Sequence, residues 1–299
     1  MCRWLSLILP LVLLTLVSTQ AGESRNGKIA FAVEYRPGLY VLNLDNREIE
    51  RIDIGIESIE IRDLDYNERK DILAFEGGLH EGPSSLYIYD FSTKQICLFY
   101  EGTSLDNSRG GPTFHPDGER VFSTNYDNAV FEHEIATKRW RKVEITNTTE
   151  SDFRWISFSK SGTNVALSSP KLDGFLIGEV DGSRIVVRKH ILTDFNAAGH
   201  QWIGDAKIVF SGRKQGNRNR LWKVSLADES LAQLTPDPMD VSGWLSLSKD
   251  EKWVVFRGSG PEKTARWCLW RISVDGQGLE QLTKDATDFH GHLSPVWIE

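Results

Sequence analysis

A short pattern of an apolar residue, an aromatic or aliphatic residue, a variable residue and a fourth residue recurs through the chain at nearly constant intervals. It constrains the fold more than any other feature. The copies are Leu39-Tyr40-Val41-Leu42, Leu86-Tyr87-Ile88-Tyr89, Val130-Phe131-Glu132-His133, Phe175-Leu176-Ile177-Gly178, Leu221-Trp222-Lys223-Val224 and Leu269-Trp270-Arg271-Ile272, with spacings of 47, 44, 45, 46 and 48 residues. A repeat of about 40–50 residues points to a radial or stacked array of similar units and not to one irregular core.

A second column precedes each copy: Ile29-Ala30-Phe31, Ile72 to Phe75, Val121-Phe122, Val165 to Leu167, Ile208 to Phe210 and Val254 to Phe256. Unbroken apolar runs of this length read as strands buried on both faces. Turn pairs follow each copy of the first pattern, among them Asp45-Asn46, Asp181-Gly182 and Asp275-Gly276, which suit the φ > 0 conformations of hairpins. The 25 glycines and the 10 tryptophans, 14 phenylalanines and 7 tyrosines fit strands and tight turns. The expected fold is all-β, a six-bladed β-propeller with four-stranded antiparallel blades.

The innermost strand and its turn stand out in Pro112-Thr113-Phe114-His115-Pro116-Asp117-Gly118, Phe158-Ser159-Lys160-Ser161-Gly162 and Leu247-Ser248-Lys249-Asp250. These segments resemble the P-x-F-S-P-D-G signature of TolB-type propeller repeats, and Gln233-Leu234-Thr235 and Gln281-Leu282-Thr283 resemble the end of that repeat. The resemblance covers residues 26–299 and does not include the additional N-terminal domain of the TolB type, so it carries the scaffold without the Tol–Pal role. The first repeat lacks an innermost strand, and the tail His290 to Glu299 resembles it. The C-terminal strand is therefore expected to join the N-terminal blade beside Ile29–Val33 and close the ring.

Residues 1–21 read as a cleavable signal peptide: Arg3, an apolar run from Leu5 to Val17, then small residues at Thr19 and Ala21. The run is shorter than the roughly 20 residues that span a bilayer, so no stable membrane span is expected. Residues 22–299 would then form a single exported propeller domain, periplasmic or secreted, and a monomer. With 35 basic against 42 acidic residues and a net charge of −7, nucleic acid is not an expected partner. Cys97 and Cys268 belong to different blades and are expected as two buried free thiols.

Recognition is expected on the long-loop face, at its rim and at the channel mouth. Arg213, Arg218, Arg220, Arg257 and Arg266, with Lys214 and Lys263, would form a basic rim that attracts an acidic peptide or anionic ligand. Trp155, Trp202 and Trp244, with Arg154 beside the first of them, are expected near the starts of innermost strands, where aromatic faces stack on a sugar or proline. His200, His290 and His292 are candidate metal ligands at the inner rim. Oligogalacturonate lyases, distant propeller relatives, hold a histidine-ligated metal in such a position. His115, in a turn, reads as structural, and Asn147-Thr148-Thr149 matches a glycosylation sequon.

Gly-x-Ser-x-Gly, Gly-x-x-x-x-Gly-Lys-Ser/Thr and Cys-x-x-Cys are all missing from the sequence. Ser157-x-x-Lys160 and Ser246-x-x-Lys249 occupy equivalent repeat positions, which repetition explains better than catalysis. The expected function is a non-catalytic module that binds an envelope or extracellular protein, peptide or ligand and needs no cofactor. The alternative is a metal-dependent lyase or hydrolase acting on an anionic oligosaccharide, using a divalent metal.

Overall fold

The computed structural model describes residues 27–34, 36–56, 59–79, 82–104, 110–125, 129–169, 171–214, 218–260, 267–283 and 292–298. The expected leader, Lys263, Arg266 and His290 lie outside the described residues, as does the side chain of His292.

The described residues form strands, turns and no helix. In chain order these are β1 (Lys28–Val33), β2 (Arg36–Asn43) and β3 (Ile49–Ile52); β4 (Glu60–Asn67), β5 (Ile72–Gly78), β6 (Ser84–Asp90) and β7 (Gln95–Tyr100); and β8 (Gly110–Phe114), β9 (Arg120–Thr124), β10 (Val130–Glu134), β11 (Trp140–Lys142) and β12 (Glu144–Thr146). There follow β13 (Trp155–Phe158), β14 (Asn164–Ser168), β15 (Asp173–Asp181) and β16 (Arg184–Ile203); β17 (Lys207–Lys214), β18 (Arg220–Ser225) and β19 (Leu231–Gln233); and β20 (Asp240–Leu247), β21 (Trp253–Ser259), β22 (Cys268–Ser273), β23 (Glu280–Gln281) and β24 (His292–Trp297).

Neighbouring strands pair as antiparallel meanders, for example β4-β5-β6-β7, β8-β9-β10-β11 and β20-β21-β22-β23. The last strand returns to the first: β24 pairs antiparallel with β1, Ala30 opposite Val296 and Ile29 opposite Trp297. Both chain ends thereby share one sheet.

Burial explains the repeat. The first position of the recurring pattern is at most 1% exposed in every copy, at Leu39, Leu86, Val130, Phe175, Leu221 and Leu269. Each such side chain contributes about 1.5–3 kcal/mol by leaving water. Position two lies against the preceding strand, where the indoles of Trp222 and Trp270 donate Nε1–H to the carbonyls of Gly212 (2.9 Å) and Gly258 (3.1 Å). The second column supplies Phe75, Phe122, Phe210 and Phe256, all fully buried. Gly118 and Gly162 hold φ of +78° and +76° at the turns that follow the innermost strands, which an L side chain adopts only with strain.

Strand β16 departs from the expected hairpin pattern. Its first part pairs with β15, with Ile191 opposite Phe175 and, past a register shift, Asn196 opposite Asp173, and its second part pairs with β17 from Phe195 onward. No Gly or Pro interrupts residues 191–198, so one continuous strand serves two meanders, bent where Leu192 takes a φ of 54°. Trp202 consequently sits at the end of its innermost strand and not near the start. β12 runs parallel to the beginning of β16 and covers that sheet edge. Both cysteines are free, but Cys97 is only half-buried because it lies on the outer strand β7, whereas Cys268 is buried in β22.

Candidate binding site

Residues of β4, β8, β13, β20 and β24 and of the second half of β16 line two described cavities, which lie one beyond the other along a shared axis. A cleft of about 80 Å³ at the end where these strands start is lined by Asp63, Gly111, Trp155, Gly199, Trp244 and Ser294 among others. A cavity of about 740 Å³ occupies the opposite end, at the turns, with Phe114, Phe158, Gln201, Trp202 and Ser246 in its wall. Asp65, Thr113 and Gln201 border both.

The upper cleft is held narrow by backbone contact. A Cβ on Gly199 would stand 1.4 Å from the Gly243 carbonyl oxygen, so β16 and β20 approach as only a glycine at position 199 permits. Asp63 crosses the cleft, accepting the Trp244 indole N–H and the Ser294 hydroxyl, the latter at 3.0 Å. Behind Trp244, the Arg257 guanidinium lies 5.2 Å from that ring and 5.0 Å from the Trp267 ring, and Glu34 pairs with it at 3.1 Å. Burial lowers the pKa of Arg257, and Glu34 opposes the shift. Arg154 is exposed with its guanidinium over the Trp155 ring at 5.0 Å.

The acidic groups near the axis are unusual. Desolvation pushes Asp65 up to about 7, against the Phe114 and Tyr66 backbone N–H groups that favour its ionised form. Glu76, behind β4, is also raised to about 7, by burial first and by the charge of Asp63 second; Ser84 and Arg62 oppose this.

The turns around the larger cavity are tied to one another. Asn67 donates to the Gly118 carbonyl at 3.1 Å, and the His115 Nε2 meets the Gly162 carbonyl at 3.0 Å. Asp205 accepts the Ser161 N–H at 3.0 Å, and Glu251 accepts the Gly204 N–H at 3.0 Å. Lys249 pairs with Glu68 at 3.3 Å, bringing the circuit back to the turn after β4. A cavity framed by cross-linked turns is a preorganised one, and its volume falls in the range of small-ligand and peptide-anchor pockets.

The expected basic rim is divided. Arg220 is buried and paired with Asp237 at 2.6 Å, Arg257 with Glu34, and Lys214 with Asp194 at 3.2 Å. Arg213 and Arg218 are exposed, Arg218 donating to the Pro238 carbonyl at 3.1 Å. His200 is 4% exposed, its Nδ1 2.6 Å from the Ser157 hydroxyl and its ring edge-on to Phe175. Burial depresses its pKa to about 3, so the imidazole is neutral. Among the described residues no three His, Cys, Asp or Glu side chains gather as a metal site. Trp202 is buried, with its indole N–H on the Ser157 carbonyl at 3.1 Å, and lines the larger cavity.

Sequence reasoning did not single out Asp63, Asp65 or Gln201 as site residues, and it read Ser246 only as part of a repeated Ser-x-x-Lys string. The available signal was the alternation Asp63-Leu64-Asp65, which puts two carboxylates on the same side of an innermost strand.

No protein-family model matches the sequence, and no curated protein does. Solved structures do. The TolB of Acinetobacter baumannii superposes with a TM-score of 0.71 at 17% identity, over 91% of this chain and 66% of that one. A putative TolB from Agrobacterium tumefaciens gives 0.62 at 14% identity, over 88% and 90%. A chain of a nidogen/laminin complex gives 0.62 at 10% identity, over 92% and 99%. The chain spans just under two thirds of the Acinetobacter protein, and at these identities the likeness concerns the fold. With its antiparallel meanders arrayed about an axis, the chain has the fold of a TolB-like β-propeller.

Proposed function

We propose that the chain is an exported, non-catalytic binding module, a six-bladed ring closed by β24 beside β1, that takes a segment of an envelope or extracellular protein into its axial cavity. The observation that carries the reading is the 740 Å³ cavity framed by cross-linked turns. Pairing of β24 with β1 and the circuit of turn contacts from Asn67 to Glu251 support the closed ring. The composition of residues 1–21, which reads as a cleavable leader, is the reason for placing the chain outside the cytoplasm.

The chemistry of the cavity narrows the partner. Phe114, Phe158 and Trp202 suit an apolar anchor, while Gln201, Ser246 and the near-neutral Asp65 suit hydrogen-bonding groups beside it. Rim charges are already matched, Lys160 with Glu251 at 2.9 Å and Lys249 with Glu68, so the rim favours neither a strongly acidic nor a strongly basic segment. A partner on the long-loop face would instead meet Arg154, Arg213 and Arg218 and would be acidic.

The test is photo-crosslinking in the native envelope from a probe at position 201, compared with one at position 213. Capture of one stoichiometric protein from 201 and not from 213 is the expected result. The reverse would move the site to the long-loop face. Stoichiometric metal retained by reconstituted protein, with turnover of an acidic oligosaccharide, would replace the module with a metal-dependent lyase or hydrolase; that reading requires His200 to leave its site between Ser157 and Phe175.

A further inference from the structure

One contact on the outer surface joins two nucleophiles. The Lys138 Nζ lies 2.9 Å from the Cys97 Sγ, across the seam between the sheet of β4–β7 and that of β8–β11. Neither position is arbitrary. Cys97 is set in the outer strand β7 opposite Ile88. Lys138 takes a φ of 55° in the turn between β10 and β11, where its N–H is bound to the Glu134 carbonyl at 2.9 Å. The turn is braced again by the Thr137 hydroxyl on Glu134 at 2.8 Å. Further along the same seam Tyr100 of β7 meets Trp140 of β11 with ring centroids 5.9 Å apart. Both partners are reachable from solvent, Lys138 exposed and Cys97 half-buried.

We propose that Cys97 and Lys138 are a peroxide-triggered cross-linking site that staples these two neighbouring sheets. An accessible thiol beside a lysine is a site where oxidation by hydrogen peroxide is favoured. In the first step the thiol is oxidised by two electrons to the sulfenic acid and peroxide is reduced: Cys97–SH and H₂O₂ give Cys97–SOH and H₂O. In the second, the neutral Lys138 amine attacks the sulfur, an S–N bond forms, and the S–O bond breaks. Hydroxide leaves and takes an amine proton, so Cys97–SOH and H₂N–Lys138 give Cys97–S–NH–Lys138 and H₂O. The second step needs no further oxidant. The amine already touches the sulfur, so closure competes with further oxidation of the sulfenic acid, which would otherwise lead to the irreversible sulfinic acid. A thiol reductant cleaves the S–N bond and restores both side chains, which makes the staple reversible.

The test is peptide mapping by mass spectrometry of the purified full chain after treatment with a molar excess of hydrogen peroxide, enough to carry an unprotected thiol through two oxidations. The expected product is a linked pair of peptides containing Cys97 and Lys138, lighter than their sum by two hydrogens and released by dithiothreitol. It should vanish in Cys97→Ser and in Lys138→Arg. The Lys138→Arg protein should carry Cys97 as sulfinic acid under the same treatment. The staple should also raise the melting temperature of oxidised wild type over reduced wild type and leave that of Lys138→Arg unmoved. Unlinked peptides from the oxidised wild type, with Cys97 either unmodified or oxidised to the same extent as in Lys138→Arg, would overturn the proposal. Both substitutions are at the surface, and unchanged melting of the reduced variants shows that they fold.

Discussion

Asp65 accepts the backbone N–H of Phe114 at 2.6 Å, a bond that joins the innermost strands β4 and β8 on the axis. The carboxyl is desolvated there, and its pKa rises to about 7 from an ordinary 3.8. A folded-state pKa above the unfolded value means that the folded protein holds this proton more tightly. Its stabilising effect is complete below about pH 4 and is lost as pH rises toward 7. Asp65→Asn removes this proton uptake. The urea midpoint of that variant should climb more steeply with pH between 4.5 and 6.5 than that of wild type, by up to about 1.4 kcal/mol per pH unit in stability.

His200 acts in the opposite sense over the same range. Buried against Phe175 and Ser157, it has a folded-state pKa of about 3 against an ordinary 6.5, so the unfolded chain takes up the proton first. The stability it contributes is present above pH 6.5 and declines as pH falls toward 3. His200→Gln should therefore make the rise of stability with pH shallower than in wild type. Opposite changes of slope in the two variants, read from urea unfolding across pH, check both assignments.

Gly199 is the tightest backbone approach on the axis, its place for a Cβ filled by the Gly243 carbonyl. Gly199→Ala should cost about 3 kcal/mol or more, because the obstacle is backbone of a neighbouring strand and not the end of a flexible side chain. Gly182→Ala provides the comparison: φ there is +59° but nothing lies within 4 Å of the added methyl. That variant should lose only about 1 kcal/mol by chemical denaturation.

The proposed ring depends on β24, and Val296 is its most informative position. It is 4% exposed and packs with Ala30, Ala32, Leu39 and Leu73 from β1, β2 and β5. Val296→Asp should destabilise the protein by about 3–5 kcal/mol, whereas Ile49→Asp, at a position 43% exposed on β3, should change it by about 0.5 kcal/mol. Equal urea midpoints for the two variants would argue against closure through this strand.

Much of the scaffold was legible because a repeated unit must repeat its burial. Leu39, Leu86, Leu221 and Leu269 fill the same place in successive meanders, so their spacing reported the fold directly. The site was less legible because pairing between distant residues leaves no local trace. Arg220 and Arg257 read as open cations until Asp237 and Glu34 were brought to them. Trp202 was expected near the start of a strand because nothing in residues 191–198 announces that β16 continues through two meanders of one sheet. Asp65 belongs to none of the motifs that the sequence displays, and only the axial geometry makes its carboxyl exceptional.

The most direct measurement is the affinity of the captured partner segment for wild type, Gln201→Trp and the Arg213→Ala/Arg218→Ala double variant, by titration calorimetry. Gln201 borders both axial cavities, so the larger side chain fills the space a ligand would use. Binding weakened at least tenfold in Gln201→Trp, at unchanged melting temperature, with the double variant equal to wild type, is the predicted result. Undiminished binding by Gln201→Trp, with loss in the double variant, would contradict it.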